Sequence, residues 1–390
     1  MKLSKEEYKK MYDKALKNFG KAEYRLFFAP SRINIIGEHI DYNGGKVLPS
    51  AIEMGTYALV KKTKRNVIRL KSLNSNYYKE VLIGSEYASE RGWVNYPLGV
   101  INNIEQRGYE IGGIEGVIYG NIPTGAGLSS SASLELLIGS LINELYNDSK
   151  ISLKELALIG KDTENNFIGV NSGIMDQFAI AMGKADKAIL LDTESLDYEY
   201  VDVDLKDKLI VILNTNKGRR LIDSKYNERR AECESALEIL KQKYEIKNLC
   251  DLDISQLDEA IDYLEDENQR KRLRHVVTEN ARVYQAVDAL KSGDMESLGK
   301  LLNESHYSLR YDYEVTGKHL DEITSAARIS GALGARMTGA GFGGCGIALV
   351  EKDAIEEFKI KTEKLYKEST GIKPGFYVSK IGFGPKELEV

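Results

Sequence analysis

The chain has 390 residues, with 54 lysines and arginines against 59 acidic residues, a net charge of −5 and 42% hydrophobic residues. That length predicts two or three domains and a core able to stand without disulfides, and the mild negative charge argues against a chain that binds nucleic acid as a whole. The three cysteines, Cys233, Cys250 and Cys345, form neither a disulfide framework nor a Cys-x-x-Cys metal motif, the N-terminus lacks a signal peptide's apolar stretch, and no run reaches bilayer-spanning length, so a soluble cytoplasmic protein is expected.

Residues 4–19 predict an amphipathic helix with Ser4 and Glu7 as a capping box. Residues 24–29 predict a strand that Pro30 interrupts, and a second short strand follows from Ser31. Glu38, His39, Asp41, Tyr42 and Asn43 then crowd onto a glycine-flanked turn. Such density of donors and acceptors suits a polyhydroxylated ligand. A metal site built on Glu38, His39 and Asp41, or a plain polar turn, are the alternatives at this point. Alternation predicts strands over 55–60 and 67–73. Trp93, the only tryptophan, is a packing residue or the wall of a base pocket. A helix over 96–107 and a strand over 114–119 lead into a glycine- and serine-rich stretch.

That stretch, residues 121–135, reads Asn-Ile-Pro-Thr-Gly-Ala-Gly-Leu-Ser-Ser-Ser-Ala-Ser-Leu-Glu. Pro123, Gly125 and Gly127 end the strand, and a helix begins near Ser131 with Leu134, Leu137, Ile138 and Leu141 on one face. Free N–H groups at a helix start favour an anion such as phosphate. The hydroxyls of Ser129, Ser130 and Ser131 can donate to phosphate or ligate a hard cation. No lysine completes a Walker loop, and Ser130 stands where a dinucleotide fingerprint needs its third glycine. An ordinary capped Gly/Ser turn is the competing reading.

Ser152 with Glu155 predicts another capping box, and that helix carries Glu164 and runs to about Phe167. Gly169 and Gly173 break it, and a short helix over 174–182 sets Asp176 in its first turn, where the helix dipole favours a carboxylate. Paired strands over 188–192 and 198–203 precede a change of charge pattern near residue 205, which divides the chain into domains 1–205 and 206–390. A strand over 208–214 opens the second domain, and 219–330 is mostly helical, with Tyr226 near its start and a solvated basic helix face at 270–275. Gly339, Gly341 and Gly344 match dinucleotide spacing by letter, but an apolar strand follows them where a helix is needed. A strand over 376–381 closes the chain.

Together these motifs resemble a known family. Arg32-Ile-Asn-Ile-Ile-Gly-Glu-His-Ile-Asp-Tyr-Asn-Gly-Gly45 looks like the signature of the galactokinases. Residues 123–133 are similar to the phosphate loop, and 337–346 to the C-terminal glycine motif, of the wider family of galacto-, homoserine, mevalonate and phosphomevalonate kinases. Gly173-Ile-Met-Asp-Gln-Phe178 adds a fourth match, and the resemblance spans roughly residues 24–350. It implies an α+β fold of two domains with the active site in the cleft between them, and ATP- and Mg²⁺-dependent phosphorylation of galactose at its anomeric hydroxyl. By motif match, Glu38, His39, Ile40 and Asp41 would bind the sugar, joined by Tyr226 from the second domain. Asp176 would be the catalytic carboxylate, paired with Arg32. Gly125, Ala126, Gly127, Leu128, Ser129, Ser130 and Ser131 would hold the phosphates, Ser131 and Glu164 the Mg²⁺, and Ser72 and Trp93 the nucleotide. Ser31 departs from the family's usual glycine, Ile40 from its common threonine, which removes one possible hydroxyl contact, and Ser172 from a frequent cysteine. No stretch suggests an obligate interface, so a monomer is expected.

Overall fold

The computed structural model describes residues 3–89, 92–123, 125, 127–217 and 222–389. Helix α1 (Lys5–Phe19) starts at Ser4, whose Oγ accepts the Glu7 N–H while Glu7 Oε2 accepts the Ser4 N–H at 2.8 Å, the expected capping box. Strand β1 (Arg25–Asn34) continues through Pro30 as one strand. Proline cannot donate to the ladder, and the pairing slips into a bulge between Pro30 and Ser31 instead of ending there. Strands β2 (Lys46–Val47), β3 (Pro49–Thr63), β4 (Val67–Ser72) and β5 (Tyr78–Leu82), helix α2 (Asn95–Gln106) and strand β6 (Gly113–Gly120) follow.

Helix α3 (Ser130–Tyr146) is buried nearly all round, not on one face alone, because it packs between the β1/β3 sheet and its helical neighbours. Those neighbours are α2, α4 (Leu153–Asp162) and α5 (Met175–Ala181). Ser152 caps α4 by accepting the Glu155 N–H, but the Glu155 carboxylate accepts from Tyr109 Oη at 2.7 Å, so only half of that capping box forms. Residues 163–168 wind on as a π-helix containing Glu164, whose carbonyl takes the N–H groups of both Gly169 and Val170.

Strands β7 (Lys187–Asp192) and β8 (Tyr198–Asp202) pair as predicted, and β7 also pairs with β2. Strand β9 (Lys208–Asn214) precedes helices α6 (Ile222–Leu240), α7 (Leu257–Asp262), α8 (Glu267–Ser292), α9 (Met295–Tyr311) and α10 (Gly317–Ile329). Strands β10 (Gly334–Thr338) and β11 (Cys345–Glu351), helix α11 (Ile355–Thr370) and strand β12 (Gly375–Val378) complete a second sheet of order β10-β11-β9-β12. The last strand is not the expected one over 376–381. It is β13 (Lys386–Leu388), which returns to the first sheet and gives it the order β13-β1-β3-β6-β4-β5.

Alternation along the strands explains how each sheet is covered. In β1, Leu26 and Phe28 face Met11, Ala15 and Phe19 of α1, whereas Phe27, Ala29 and Ile33 face the main core with α3. In β9, Val211 and Leu213 join Phe358 and Tyr366 of α11, whereas Ile210 and Ile212 join the main core. Mixed sheets covered by helices make this an α+β fold. Among the described residues no helix is long and apolar enough to cross a membrane.

Candidate active site

The bulge in β1 precedes Arg32 by two residues and re-aims the strand. Arg32 is buried, and its guanidinium grips Asp176 bidentately, Nε to Oδ1 at 2.7 Å and Nη2 to Oδ2 at 2.8 Å. Its Nη1 donates to the Gly127 carbonyl at 3.2 Å. Ser129, the N-cap of α3 in a left-handed conformation, donates its hydroxyl to Asp176 Oδ2 and so leaves the α3 start without a side-chain cap. Among the described residues, the first N–H groups of that helix have no side-chain acceptor at the N-cap.

Two cavities meet here. The first is lined by Arg32, Glu38, His39, Asp41, Asp176 and Tyr226. The second is lined by Gly125, Gly127, Leu128, Ser129, Ser130 and Ser131. Arg32, Asp176 and Ala340 border both. The structure thus gathers the two predicted sets around one shared wall. Ser129 is buried and committed to Asp176, whereas Ser130 is exposed and leaves its hydroxyl toward the second cavity. Leu128 turns its side chain into the core and presents backbone there. Ala126 lies outside the described residues.

The C-terminal glycine motif is the turn between antiparallel β10 and β11, and β11 is the strand expected after it. Gly339 has φ +84°, and a Cβ on it would stand 2.7 Å from the Gly127 carbonyl, so the two glycine loops touch backbone to backbone. Gly173 plays a matching part in the first cavity, since a Cβ there would fall 1.8 Å from Asp41 Oδ2.

Several predicted contacts come out differently. Ile40 is fully buried in the core, next to Gly45, and lines neither cavity, because an aliphatic side chain gains more from Cys250 and its neighbours than from a polar pocket. Both ring nitrogens of His39 are engaged internally, by Tyr42 Oη at 2.9 Å and the Ala340 carbonyl at 3.2 Å. Glu38 is buried in an ion pair with Arg336 at 2.5 Å and accepts the Gly339 N–H at 2.8 Å. Glu38 and His39 are thus committed to protein partners, and among the described residues no group of three His, Cys, Asp or Glu side chains converges. Ser72 closes β4 and accepts the Asn74 N–H, and Trp93 Nε1 donates to the Tyr77 carbonyl. Neither lines either of the two cavities.

Glu164 accepts the Ser172 hydroxyl at 2.6 Å and a hydrogen bond from Ser131. Burial first, then the Asp176 charge, raises its pKa, and burial with the Glu164 charge raises that of Glu135 well above the usual range. Glu135 and Gln177, joined at 3.1 Å, were given no role by sequence reasoning. Arg336 and Glu279 were also passed over. The usable signal was a charge inside an apolar run, as in Leu134-Glu-Leu-Leu-Ile138 and Ala335-Arg-Met337.

Burial, reinforced by the carboxylates of Asp176 and Glu38, lifts Asp41 from 3.8 to about 7. Between those values the folded chain holds a proton that the unfolded chain has released. The stabilisation from the protonated form is complete below pH 3.8 and is lost as pH rises through about 7. Asp41→Asn should therefore raise the melting temperature relative to the wild type at pH 8, with the difference fading toward pH 4. Thermal melts across that range check this, and equal melting temperatures at pH 8 would contradict it.

The chain matches the galactokinase galactose-binding signature over residues 16–62, the GHMP kinases N terminal domain over 95–184 and the GHMP kinases C terminal domain over 286–365. It is 52% identical to a galactokinase of Streptococcus thermophilus over 376 residues, covering 95% of this chain and 97% of that one. It is 50% identical to a galactokinase of Clostridium tetani over 375 residues, covering 96% of each. The crystal structure of Lactococcus lactis galactokinase complexed with galactose superposes with a TM-score of 0.93 at 45% identity, covering 96% of this chain and 98% of that one. The mevalonate kinase of Methanococcus jannaschii, at 19% identity and a TM-score of 0.67 over 93% of this chain and 99% of its own, shares the fold.

Proposed function

The chain belongs to the galactokinase family of the GHMP kinases, and on that premise we propose that its first cavity holds galactose, its second the phosphates of ATP, and that the phosphoryl group crosses at the wall they share. The reaction is transfer of the terminal phosphoryl group of ATP to the anomeric hydroxyl, giving galactose 1-phosphate and ADP. The carrying observation is that Arg32 and Asp176, gripping each other, border both cavities at once.

Each site residue then has a task. Asp41, Glu38 and Tyr226 meet sugar hydroxyls, which both donate and accept. Asp176 accepts the hydrogen bond of the anomeric hydroxyl and takes its proton late, because phosphoryl transfer runs through a loose transition state with little bond formation to drive early deprotonation. Arg32 spends three of its five N–H groups on Asp176 and Gly127. The others are left for charge growing on the transferring oxygens. Ser130 and the N–H groups at the start of α3 cradle the phosphates.

Ser131 and Glu164 fit Mg²⁺. A hydroxyl already bonded to a buried carboxylate, in a field of three carboxylates (Glu135, Glu164 and Asp176), suits a hard cation that keeps waters and phosphate oxygens as its other ligands. When bound, Mg²⁺ neutralises phosphate charge. Ser72 and Trp93, outside both cavities, stand as contacts for the nucleoside. Residues 1–205 supply most of these groups, and 206–390 complete the cleft through Tyr226 and the 339–341 turn. We take a monomer as the working unit. The three cysteines are buried thiols, which supports the cytoplasm.

A panel of monosaccharides with ATP and Mg²⁺ tests this, comparing kcat/KM. Galactose should lead, with N-acetylgalactosamine and arabinose behind, since a single hydrogen bond to a substrate hydroxyl, present or missing, shifts specificity strongly. Another sugar leading would move the substrate assignment. Binding without turnover of any sugar would make the chain a sensor.

A further inference from the structure

A further property rests on the reading of the two cavities as sugar and phosphate sites. His39 takes a left-handed backbone conformation, φ 63°, and is 3% exposed. Its Nε2 faces the Ala340 carbonyl and its Nδ1 faces Tyr42 Oη. A carbonyl oxygen only accepts, so Nε2 carries the hydrogen. Burial, with His275 nearby, holds the ring pKa at about 3, so the ring is neutral and Nδ1 is a bare acceptor. Tyr42 must donate to it. Having given its hydrogen, Tyr42 Oη accepts from Tyr313 Oη at 2.9 Å, and Tyr313 in turn accepts from the Cys233 thiol at 3.2 Å. One carbonyl therefore sets the direction of every hydrogen bond in the chain from Cys233 to Ala340.

The consequence falls on Ala340, which borders both cavities and sits between Gly339 and Gly341, two positive-φ glycines that give the turn little stiffness of its own. We propose that His39 and Tyr42 are a positioning pair: Tyr42, by donating to Nδ1, stabilises the tautomer that the Ala340 carbonyl requires, and His39 holds that carbonyl, and with it the wall common to sugar and nucleotide. Neither ring nitrogen is left for a sugar hydroxyl. The pair acts on both substrates without bonding to either.

Tyr42→Phe removes the last donor and keeps the ring. KM for galactose and KM for ATP should both rise, by about five- to tenfold, the scale of one buried hydrogen bond, while kcat changes by less than about twofold. The chain has four histidines, so imidazole ¹⁵N spectra assigned with a His39 variant can read the tautomer directly. The wild type should show His39 protonated at Nε2 and bare at Nδ1. His39→Gln, which retains an N–H donor toward Ala340, should keep both KM values closer to the wild type than His39→Ala, and it carries the kinetic test if Tyr42→Phe does not fold. A hydrogen on Nδ1 in the wild type, a rise in the galactose KM alone, or glutamine no better than alanine overturns the proposal. The spectra need no substrate, so a failure of galactose turnover would count against the assigned reaction and leave the tautomer result standing.

Discussion

Asp176→Asn is expected to lower kcat by about 10²- to 10⁴-fold, the span of a lost general base. The hydrogen-bond inventory gives the reason. Asp176 Oδ2 already receives Arg32 Nη2 and the Ser129 hydroxyl, and Oδ1 receives Arg32 Nε. An ionised carboxylate oxygen has room for two donors. The vacant position is therefore on Oδ1, and it is the one a sugar hydroxyl can use. Asparagine turns one oxygen into an NH₂ group that confronts an Arg32 N–H, so the fork opens and the hydroxyl loses its acceptor together with its partner's alignment. Steady-state kinetics at saturating galactose and ATP measure the effect. A loss smaller than about tenfold would leave Asp176 as an orienting group and remove it as the base.

Arg336→Met should cost about 3–5 kcal/mol of stability, the range for breaking a buried ion pair by removing one partner. Arg336 is 0% exposed and lies 2.5 Å from Glu38 and 3.8 Å from Glu279, both also buried. Its Nη1 donates to the Ile35 carbonyl at 3.1 Å and its Nε to the carbonyl of its neighbour Met337. Methionine fills much of the volume but leaves Glu38 buried without its ion-pair partner, while Glu279 keeps Arg282 at 2.8 Å. Burial alone would raise Glu279, yet Arg282, His275 and Arg336 bring it down to about 2. Adding Glu38→Gln to the Met variant should recover part of the loss by removing the stranded charge. Urea unfolding of both variants tests this, and a single variant within about 1 kcal/mol of the wild type would mean the pair contributes no more than an exposed one. Because Glu38 also holds the Gly339 N–H, the surviving folded Arg336→Met protein should bind galactose more weakly.

Local chemistry was well expressed in the sequence where one rule governs. The Ser4 cap, the pairing of β7 with β8 and the strand that follows the 339–344 glycines each follow from signals within a few residues. Pro30 misled because its penalty is local, while the bulge that relieves it depends on β3, whose Gly55 leaves room beside the Ala29 carbonyl. The site divides in the same way. Arg32, Asp176, Tyr226 and the serine loop were legible as motifs. The duties of His39 and Glu38 were not, because both are committed to partners some 300 positions later in the chain, Ala340 in one case and Arg336 and Gly339 in the other. Ile40 carried no polar signal, and its position in the motif was a poor guide to where its side chain goes.

The first sheet has a feature that bears on synthesis. Strand β1 is flanked by β3 on one side and by β13 on the other, with Leu26 opposite Leu388 and Arg25 paired to Glu387 at 2.6 Å. A ribosome releases residues 25–34 long before residues 386–388 exist. For nearly the whole of translation, at some 5–20 residues per second, residues 26–28 of that strand must wait with their outer backbone donors and acceptors open. An open edge of that kind invites pairing with another nascent chain. Arg32 thus sits on a strand whose second neighbour arrives almost last, and an edge left open in this way is a route to misassembly while the chain is being made.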